Sequence, residues 1–166
     1  MQFLYLLYEN YIAPFGEMFI KICISAIFGF IIGLDRSFKN KPAGIKTYTY
    51  VCVACTLITL ISIHSAETLS ANNSGKMMDP MRLAAQIVSG LGFLGAGMIL
   101  KNGFKVKGLT SAAMIFFAGG VGIGIGAGFY AIVTFSVLVS LFTASLGILL
   151  EKKKVIEIHK EYDIDI

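Results

Sequence analysis

The side chains best suited to chemistry lie at the ends of long apolar stretches of the sequence. Asp35 and Arg36 follow the first stretch, whereas Asp79 and Arg82 precede the third. Gln86 comes one helical turn after Arg82, on the same predicted helix face. Ionisable and amide groups are costly inside a bilayer, so those found there either pair locally or bind an ion, a ligand or a partner. For Asp35, Arg82 and Gln86 the sequence leaves function and structural pairing equally open.

Local partners are available for two of these residues. Asp79 followed by Pro80 is typical of a helix start, because aspartate caps the first amides and proline suits the first helical position. The Asp79 carboxylate is also the expected partner of Arg82. For Asp35 we expect pairing with Lys46 or with a lysine of the third connection.

Two motifs known from soluble enzymes occur inside apolar stretches. Cys52 and Cys55 form a CxxC pattern, but burial in lipid disfavours the thiolate that redox or zinc chemistry requires. Gly90, Gly92 and Gly95 match a dinucleotide-binding fingerprint, yet the strand and the acidic residue that must accompany it are missing from the pattern. We find no nucleophile paired with a base. The sequence therefore predicts no enzyme, no cofactor and no metal site.

Small residues recur at helical spacing in the third and fourth apolar stretches. Such residues let the backbones of neighbouring membrane helices approach closely. We expect helix packing at six positions, namely Ser89, Gly92, Gly95, Gly120, Gly124 and Gly128. Ala85 and Ala96 extend the face of the third stretch, and Gly122 and Gly126 form a second face of the fourth.

A stripe of weakly polar residues runs along the second stretch. Its members follow one another by steps of four and three residues: Tyr48, Cys52, Cys55, Thr59 and Ser62. A similar stripe marks the fifth stretch, at Ser136, Ser140, Thr143 and Gly147. Such stripes face other helices or a polar path and seldom face lipid.

The elements that must position these residues are membrane-spanning helices. Hydrophobic residues make up 56% of the 166 and charged residues only 14%, too few to solubilise a domain of this length. Five apolar runs each approach the ~20 residues that cross a bilayer. They are Met18–Leu34, Thr47–Ile63, Leu83–Leu100, Leu109–Gly126 and Gly128–Leu150. The sequence thus predicts an all-α integral membrane protein built as a bundle of about five transmembrane helices.

Lysine and arginine are distributed unevenly among the connections, which predicts the orientation of the bundle. Eleven lie in the first connection, the third connection and the C-terminal tail, against Lys76 and Arg82 in the opposite loops. The positive-inside rule then puts the N-terminus outside and the C-terminus in the cytoplasm. It also explains the net charge of +4 without nucleic acid as a partner. We expect an interfacial segment at 1–16, a transmembrane domain at 17–150 and a short cytoplasmic tail at 151–166.

Three parts of the sequence resemble the MgtC/SapB family of membrane proteins. They are Gly33–Arg36 with Pro42–Thr47, then Asp79–Gly97, then Gly108–Ala113. The resemblance implies a five-span protein of the bacterial cytoplasmic membrane, linked to magnesium limitation, to virulence through intracellular survival, or to regulation of other membrane proteins. It also implies the short SapB-like form, because longer members carry a cytoplasmic domain after the fifth span. The candidate functional polar residues in these segments are Asp35, Arg36, Lys46, Thr47, Asp79, Arg82 and Gln86.

Two functions are compatible with the sequence. The first is a small non-enzymatic protein that self-associates in the lipid bilayer as a homo-oligomer or regulates another membrane protein, in magnesium, ion or envelope homeostasis. The alternative is an ion or small-solute transporter or channel component, with Asp35, Arg82, Gln86 and the polar stripes as its path. Divalent cations prefer several oxygen ligands, usually carboxylates. Because the predicted spans contain no acidic residue near their middle, the sequence supports transport of divalent cations only weakly.

Overall fold

The computed structural model describes residues 15–39, 41, 43–72 and 79–162, and most of these residues are helical. Five helices and one hairpin follow each other along the described chain: α1 (Gly16–Phe38), α2 (Ile45–Asn72), α3 (Arg82–Met98), β1 (Leu100–Asn102), β2 (Lys105–Lys107), α4 (Leu109–Gly126) and α5 (Tyr130–Tyr162). The predicted all-α membrane fold with about five helices is confirmed. The predicted interfacial segment at 1–16 falls almost entirely outside the described residues.

Four of the described helices are long and apolar enough to cross a membrane, namely α1, α2, α4 and the first part of α5. Helix α3 has 17 residues, which at 1.5 Å per residue extend over roughly 25 Å. It replaces the predicted third span and ends at Met98, two residues before the predicted end. Helix α5 continues to Tyr162, past the predicted end at Leu150, because the glutamate and lysines that follow Leu150 are good helix formers.

A β-hairpin joins α3 to α4, where the sequence predicted only a basic connection. Its antiparallel register pairs Leu100 with Lys107, Lys101 with Val106 and Asn102 with Lys105. Gly103 has a φ of 60°, the left-handed conformation that glycine provides at the first position of a two-residue hairpin turn.

The chain through Val133 forms one compact unit, in which α1 packs along α2, and α4 packs against the other three helices. The backbones of α1 and α2 come closest at Gly29 and Gly33. A Cβ added at Gly29 would lie 2.7 Å from Thr49 Cα, and one added at Gly33 would lie 2.5 Å from Ile45 Cα. Larger side chains do not fit there, so glycine sets the spacing of these two helices.

Glycines on one face of α4 admit the backbone of α2. A Cβ at Gly122 would overlap the Cys52 carbonyl oxygen, and one at Gly126 would lie 2.8 Å from Thr59 Cβ. This is the second of the two glycine faces predicted for the fourth apolar stretch. It is the face along which α4 contacts the centre of the unit.

The six positions expected to pack helices have different surroundings. A Cβ at Gly124 would lie 2.5 Å from Val133 Cγ2, and one at Gly95 would make ordinary contact with Ala112. Gly92 and Gly120 border open space. Ser89 is exposed, and Gly128, with a φ of 86°, belongs to the turn between α4 and α5.

The polar stripe of α2 lies in the interior of this unit, and all five of its residues are buried. Between its members, the Thr56 hydroxyl donates to the Gly122 carbonyl at 2.8 Å and lies 2.7 Å from the Ser25 hydroxyl. The Cys52 thiol donates to the Ala118 carbonyl at 3.2 Å. Side chains of α2 therefore bond to backbone carbonyls of α4, at and next to glycines.

Residues 134–166 form a second unit, of which α5 is the described part. The Thr143 hydroxyl donates to the Val139 carbonyl at 2.9 Å, and the Ser145 hydroxyl to the Leu141 carbonyl at 2.8 Å. These hydroxyls are satisfied within their own helix, as is usual for serine and threonine in membrane helices.

Candidate functional site

Arg36 is the candidate residue that the fold buries most deeply. It lies in the last turn of α1 with only 5% of its surface exposed. One terminal nitrogen of its guanidinium donates to the Ser111 hydroxyl in the first turn of α4, at 2.9 Å. The Nε–H has no partner within the described part of the chain. A buried guanidinium normally uses its donors fully, because desolvation without hydrogen bonds is costly.

Two more buried polar atoms have no partner in the described residues. They are the hydroxyls of Tyr48 and Thr49, in the first two turns of α2. Tyr48 is fully buried, and its hydroxyl lies close to the Arg36 guanidinium. Unused hydrogen-bonding capacity therefore concentrates where the end of α1 meets the starts of α2 and α4.

The glycine contacts of α1 place Arg36 in this position. Gly29, Gly33 and Arg36 follow one another by four and three residues, so they share one helix face. Because the two glycines bring α1 against the backbone of α2, the same face directs the arginine inward. Sequence reasoning counted Arg36 among the basic residues that determine topology and among the functional candidates, but it did not predict this burial.

Asp35 pairs with Lys39, whereas the sequence predicted Lys46 or a lysine of the third connection. Its carboxylate lies 2.7 Å from Lys39 Nζ, one turn further along α1 and its C-terminal extension. Lys46 and Thr47 are both exposed in the first turn of α2. The expected pairing with Lys46 is therefore replaced by a local i,i+4 pair, which is available because α1 keeps its helical path through Phe38.

The second group of candidates lies at the start of α3. Asp79 accepts a hydrogen bond from the Met81 amide at 2.9 Å, and its carbonyl accepts one from the Arg82 amide at 3.3 Å. Helix α3 begins at Arg82 with Met81 in the cap position, so Asp79 stabilises the turn before the helix and is not its N-cap. No ion pair joins Arg82 to Asp79 in the described residues, and both side chains are exposed.

Gln86 lines an apolar groove of about 490 Å³ between α2 and α3. The remaining lining is hydrophobic apart from Tyr50, with Ala54 on α2 and Gly90 on α3 among its smallest residues. Nearby, the Leu83 amide donates to the Ser62 hydroxyl at 3.2 Å and ties the start of α3 to α2. The groove therefore presents a single amide side chain to whatever fills it.

Four of the seven candidate residues thus fall into two groups, and Asp35, Lys46 and Thr47 belong to neither. One comprises Arg36 with Tyr48 and Ser111, and the other comprises Asp79, Arg82 and Gln86. The first supplies a guanidinium and hydroxyls, which favour an acceptor or an anion over a cation. Within the described residues, no three His, Cys, Asp or Glu side chains come close enough to hold a metal ion.

Sequence reasoning missed two members of the first group. Tyr48 heads the polar stripe of α2, and Ser111 belongs to the segment Gly108–Ala113 that resembles the MgtC/SapB family. Both patterns are present in the sequence, but neither indicates which residue of another helix Tyr48 or Ser111 contacts.

Comparison with known proteins identifies the family to which this sequence belongs. The sequence profile of the MgtC family matches residues 22–153, which include most of α1, all of α2, α3 and α4, the greater part of α5 and both groups of polar residues. The chain belongs to the MgtC family. The predicted resemblance is therefore confirmed, and the chain is a multi-pass membrane protein of this bacterial family.

Relatives within the MgtC family are similar over most of this chain. Protein SapB of Bacillus subtilis is 46% identical over 121 residues, covering 72% of this chain and 51% of its own length. The putative magnesium transporter YhiD of Escherichia coli is 37% identical over 116 residues, covering 69% and 53%. Protein MgtC of Brucella abortus is 37% identical over 131 residues, covering 77% and 50%.

This chain spans about half the length of the curated relatives it matches. The family match covers the helical region, from the second turn of α1 into α5. No solved structure matches the chain significantly.

Proposed function

We propose that this protein acts without enzymatic activity in the bacterial cytoplasmic membrane, in magnesium or envelope homeostasis, by associating with itself or with another membrane protein that it regulates. The name of the Escherichia coli relative, a putative magnesium transporter, supports the connection with magnesium. The observation that carries association is a face of α3 that no other described part of the chain covers.

The uncovered face consists of four small residues in the third helix: Ala85, Ser89, Gly92 and Ala96. All four are exposed, and a Cβ at Gly92 would meet nothing within 4 Å. Glycine lowers the intrinsic stability of a helix by about 1 kcal/mol relative to alanine. In membranes, close contact with another helix through small residues at this spacing compensates for that loss of helix stability.

The interior of the first unit supports association more than conduction. Several of its polar side chains bond to one another and to the backbone, as Thr56 does to Ser25 and to the Gly122 carbonyl. These bonds close the polar stripe of α2 against α1 and α4. The Arg36 group adds a positive charge at one end, which repels a cation.

Disulfide cross-linking tests association through the small-residue face. In a variant with Cys23, Cys52 and Cys55 replaced by alanine, Ser89→Cys should form a covalent dimer when native membranes are mildly oxidised. Adding Gly92→Leu should abolish that dimer and also abolish the ability of the protein to restore growth of a deletion strain at low magnesium. The leucine would occupy the space that the second helix requires.

Leu94→Cys is the matched control, because it lies in α3 on the side of the groove and roughly opposite Ser89. It should remain monomeric under the same oxidation. Cross-linking at position 94 but not at 89 would reject the small-residue face and place the contact at the groove. Absence of cross-links at both positions would reject self-association and leave only a different membrane protein as partner.

The alternative function is an ion or small-solute transporter or channel component. It is favoured by the groove beside Gln86 and by the name of the Escherichia coli relative. Purified protein in liposomes that enclose a magnesium-sensitive dye separates the two functions. Magnesium entry above that of empty liposomes, and reduced by Gln86→Leu, would replace our proposal with transport.

A further inference from the structure

The hairpin between α3 and α4 is uncovered within the described structure. All the residues of β1 and β2 whose side chains are described are exposed, and Phe104 at the tip is fully exposed. The two strands pair with each other and have no substantial contact with any of the described helices. An isolated two-stranded hairpin is marginal in water, so this one requires a surface that stabilises it.

The base of the hairpin is fixed to the helices. A Cβ at Gly108 would overlap the Met98 carbonyl, and Gly108 has a φ of 92°. The backbones entering and leaving the hairpin therefore touch where α3 ends and α4 begins. This contact holds the hairpin close to the end of the helix pair.

The depth of the hairpin in a bilayer follows from the length of α3. Its extent of roughly 25 Å nearly crosses a hydrocarbon core that is ~30 Å thick. Three strand residues add roughly 10 Å. The tip at Gly103 and Phe104 then reaches the headgroup layer, which is about 5–7 Å deep on each side.

The composition of the hairpin suits that layer and specifies its charge. Lys101, Lys105 and Lys107 are exposed, and the sequence has no acidic residue from Pro80 through Leu150. Exposed apolar side chains at Leu100, Phe104 and Val106 alternate with these lysines. Lysines that extend toward phosphates beside rings and aliphatic groups in the acyl boundary are typical of membrane surfaces.

We propose that the hairpin Leu100–Lys107 is a binding element for anionic lipid headgroups, with the Phe104 ring inserted at the acyl boundary and the three lysines bonded to lipid phosphates. This role concerns lipid and is independent of how the small-residue face of α3 is used. It differs from the positive-inside effect, because it requires the folded hairpin and a particular headgroup charge.

Tryptophan fluorescence tests this proposal directly, since the sequence contains no tryptophan. Phe104→Trp is placed in the full chain, purified, and reconstituted in phosphatidylcholine vesicles with or without phosphatidylglycerol. With phosphatidylglycerol we expect blue-shifted emission, quenching by brominated acyl chains, and several-fold weaker quenching by acrylamide. High salt should weaken these effects, because it screens attraction between exposed charges.

Three controls separate lipid binding from other ways of covering the ring. Lys101→Gln, Lys105→Gln and Lys107→Gln together should remove the effect of phosphatidylglycerol, whereas arginine at the same three positions should keep it. Phe129→Trp, an exposed phenylalanine before α5 with no charged residue near it in sequence, should give emission that does not depend on headgroup charge.

Two results would overturn the proposal. Emission at position 104 typical of water in both kinds of vesicle would show that the hairpin stands free of the membrane. Equal protection in both kinds of vesicle and in neutral detergent would show that protein, either a second copy or another part of this chain, covers the tip.

Discussion

At the scale of single residues, Arg36 combines a buried positive charge with an incomplete set of hydrogen bonds. Its guanidinium is buried, positively charged and bonded through one terminal nitrogen to Ser111, while Nε lacks a described partner. Removing the partner of a buried donor costs more than the bond itself contributes, because the donor stays desolvated. Ser111 should therefore matter more to stability than its size suggests.

We predict that Ser111→Ala destabilises the protein by about 1–3 kcal/mol, the cost of leaving a buried donor unsatisfied. Thermal unfolding in mild detergent measures the change. Thr110→Ala is the control, since Thr110 precedes Ser111 in α4 and is exposed. Equal unfolding temperatures for the two variants would show that solvent or another group replaces the serine at Arg36.

At the scale of elements, helix contact in this protein depends on which face of a glycine-rich helix is occupied. Gly122 and Gly126 face α2, whereas Gly120 borders open space. In the sequence, both faces carry glycines at the same spacing of four residues. The two faces differ only in whether a neighbouring helix packs against them.

This difference predicts opposite effects for one substitution made at two positions of α4. Gly122→Ala should destabilise by about 1–3 kcal/mol, because its Cβ overlaps a backbone carbonyl that has no rotamer to change. Gly120→Ala should be neutral or stabilising by up to about 1 kcal/mol, the gain in helix propensity. Thermal unfolding of both variants in detergent tests this, and a loss of stability at position 120 would indicate a partner helix on that face.

The sequence predicted the elements better than the contacts between them. Apolar length alone located the five helices, because a bilayer imposes a minimum span. The hairpin was missed because three-residue strands are too short for an alternating pattern to be distinguished from a basic loop. The burial of Arg36 was missed because it depends on Gly29 and Gly33, whose role becomes evident only when α2 is packed against them. The roles proposed for Lys46, Thr47, Asp79, Arg82 and Gln86 remain predictions.

At the scale of the whole molecule, the charge of the connections between the helices predicts an orientation in the membrane. Eleven lysines and arginines lie on the side predicted to be cytoplasmic, including the three of the hairpin. The hairpin and the Arg36 group adjoin the same end of α4, at Gly108 and Ser111. The proposed lipid contact and the buried arginine would therefore face the same compartment.

Cysteine labelling in whole cells tests that orientation. In the variant lacking the three native cysteines, Asn73→Cys should react with a membrane-impermeant maleimide added outside. Lys105→Cys should react only after the membrane is permeabilised. The opposite pattern would reverse the assignment of the two faces, and reaction at both positions in intact cells would indicate dual orientation.

The bond between Arg36 and Ser111 also has a consequence for biogenesis. Seventy-five positions separate the two residues, and at about 5–20 residues per second the ribosome needs several seconds to add them. During that interval α1 and α2 can already pair through Gly29 and Gly33, but Ser111, whose hydroxyl binds the Arg36 guanidinium in the folded protein, has not yet been synthesised. The Arg36 charge must therefore stay near water or lipid phosphates while only the α1–α2 pair is present. Its final burial requires the packing of α4. We therefore expect insertion of this protein to include a late step, in which the Arg36 charge moves from the membrane surface to the interior of the helix unit.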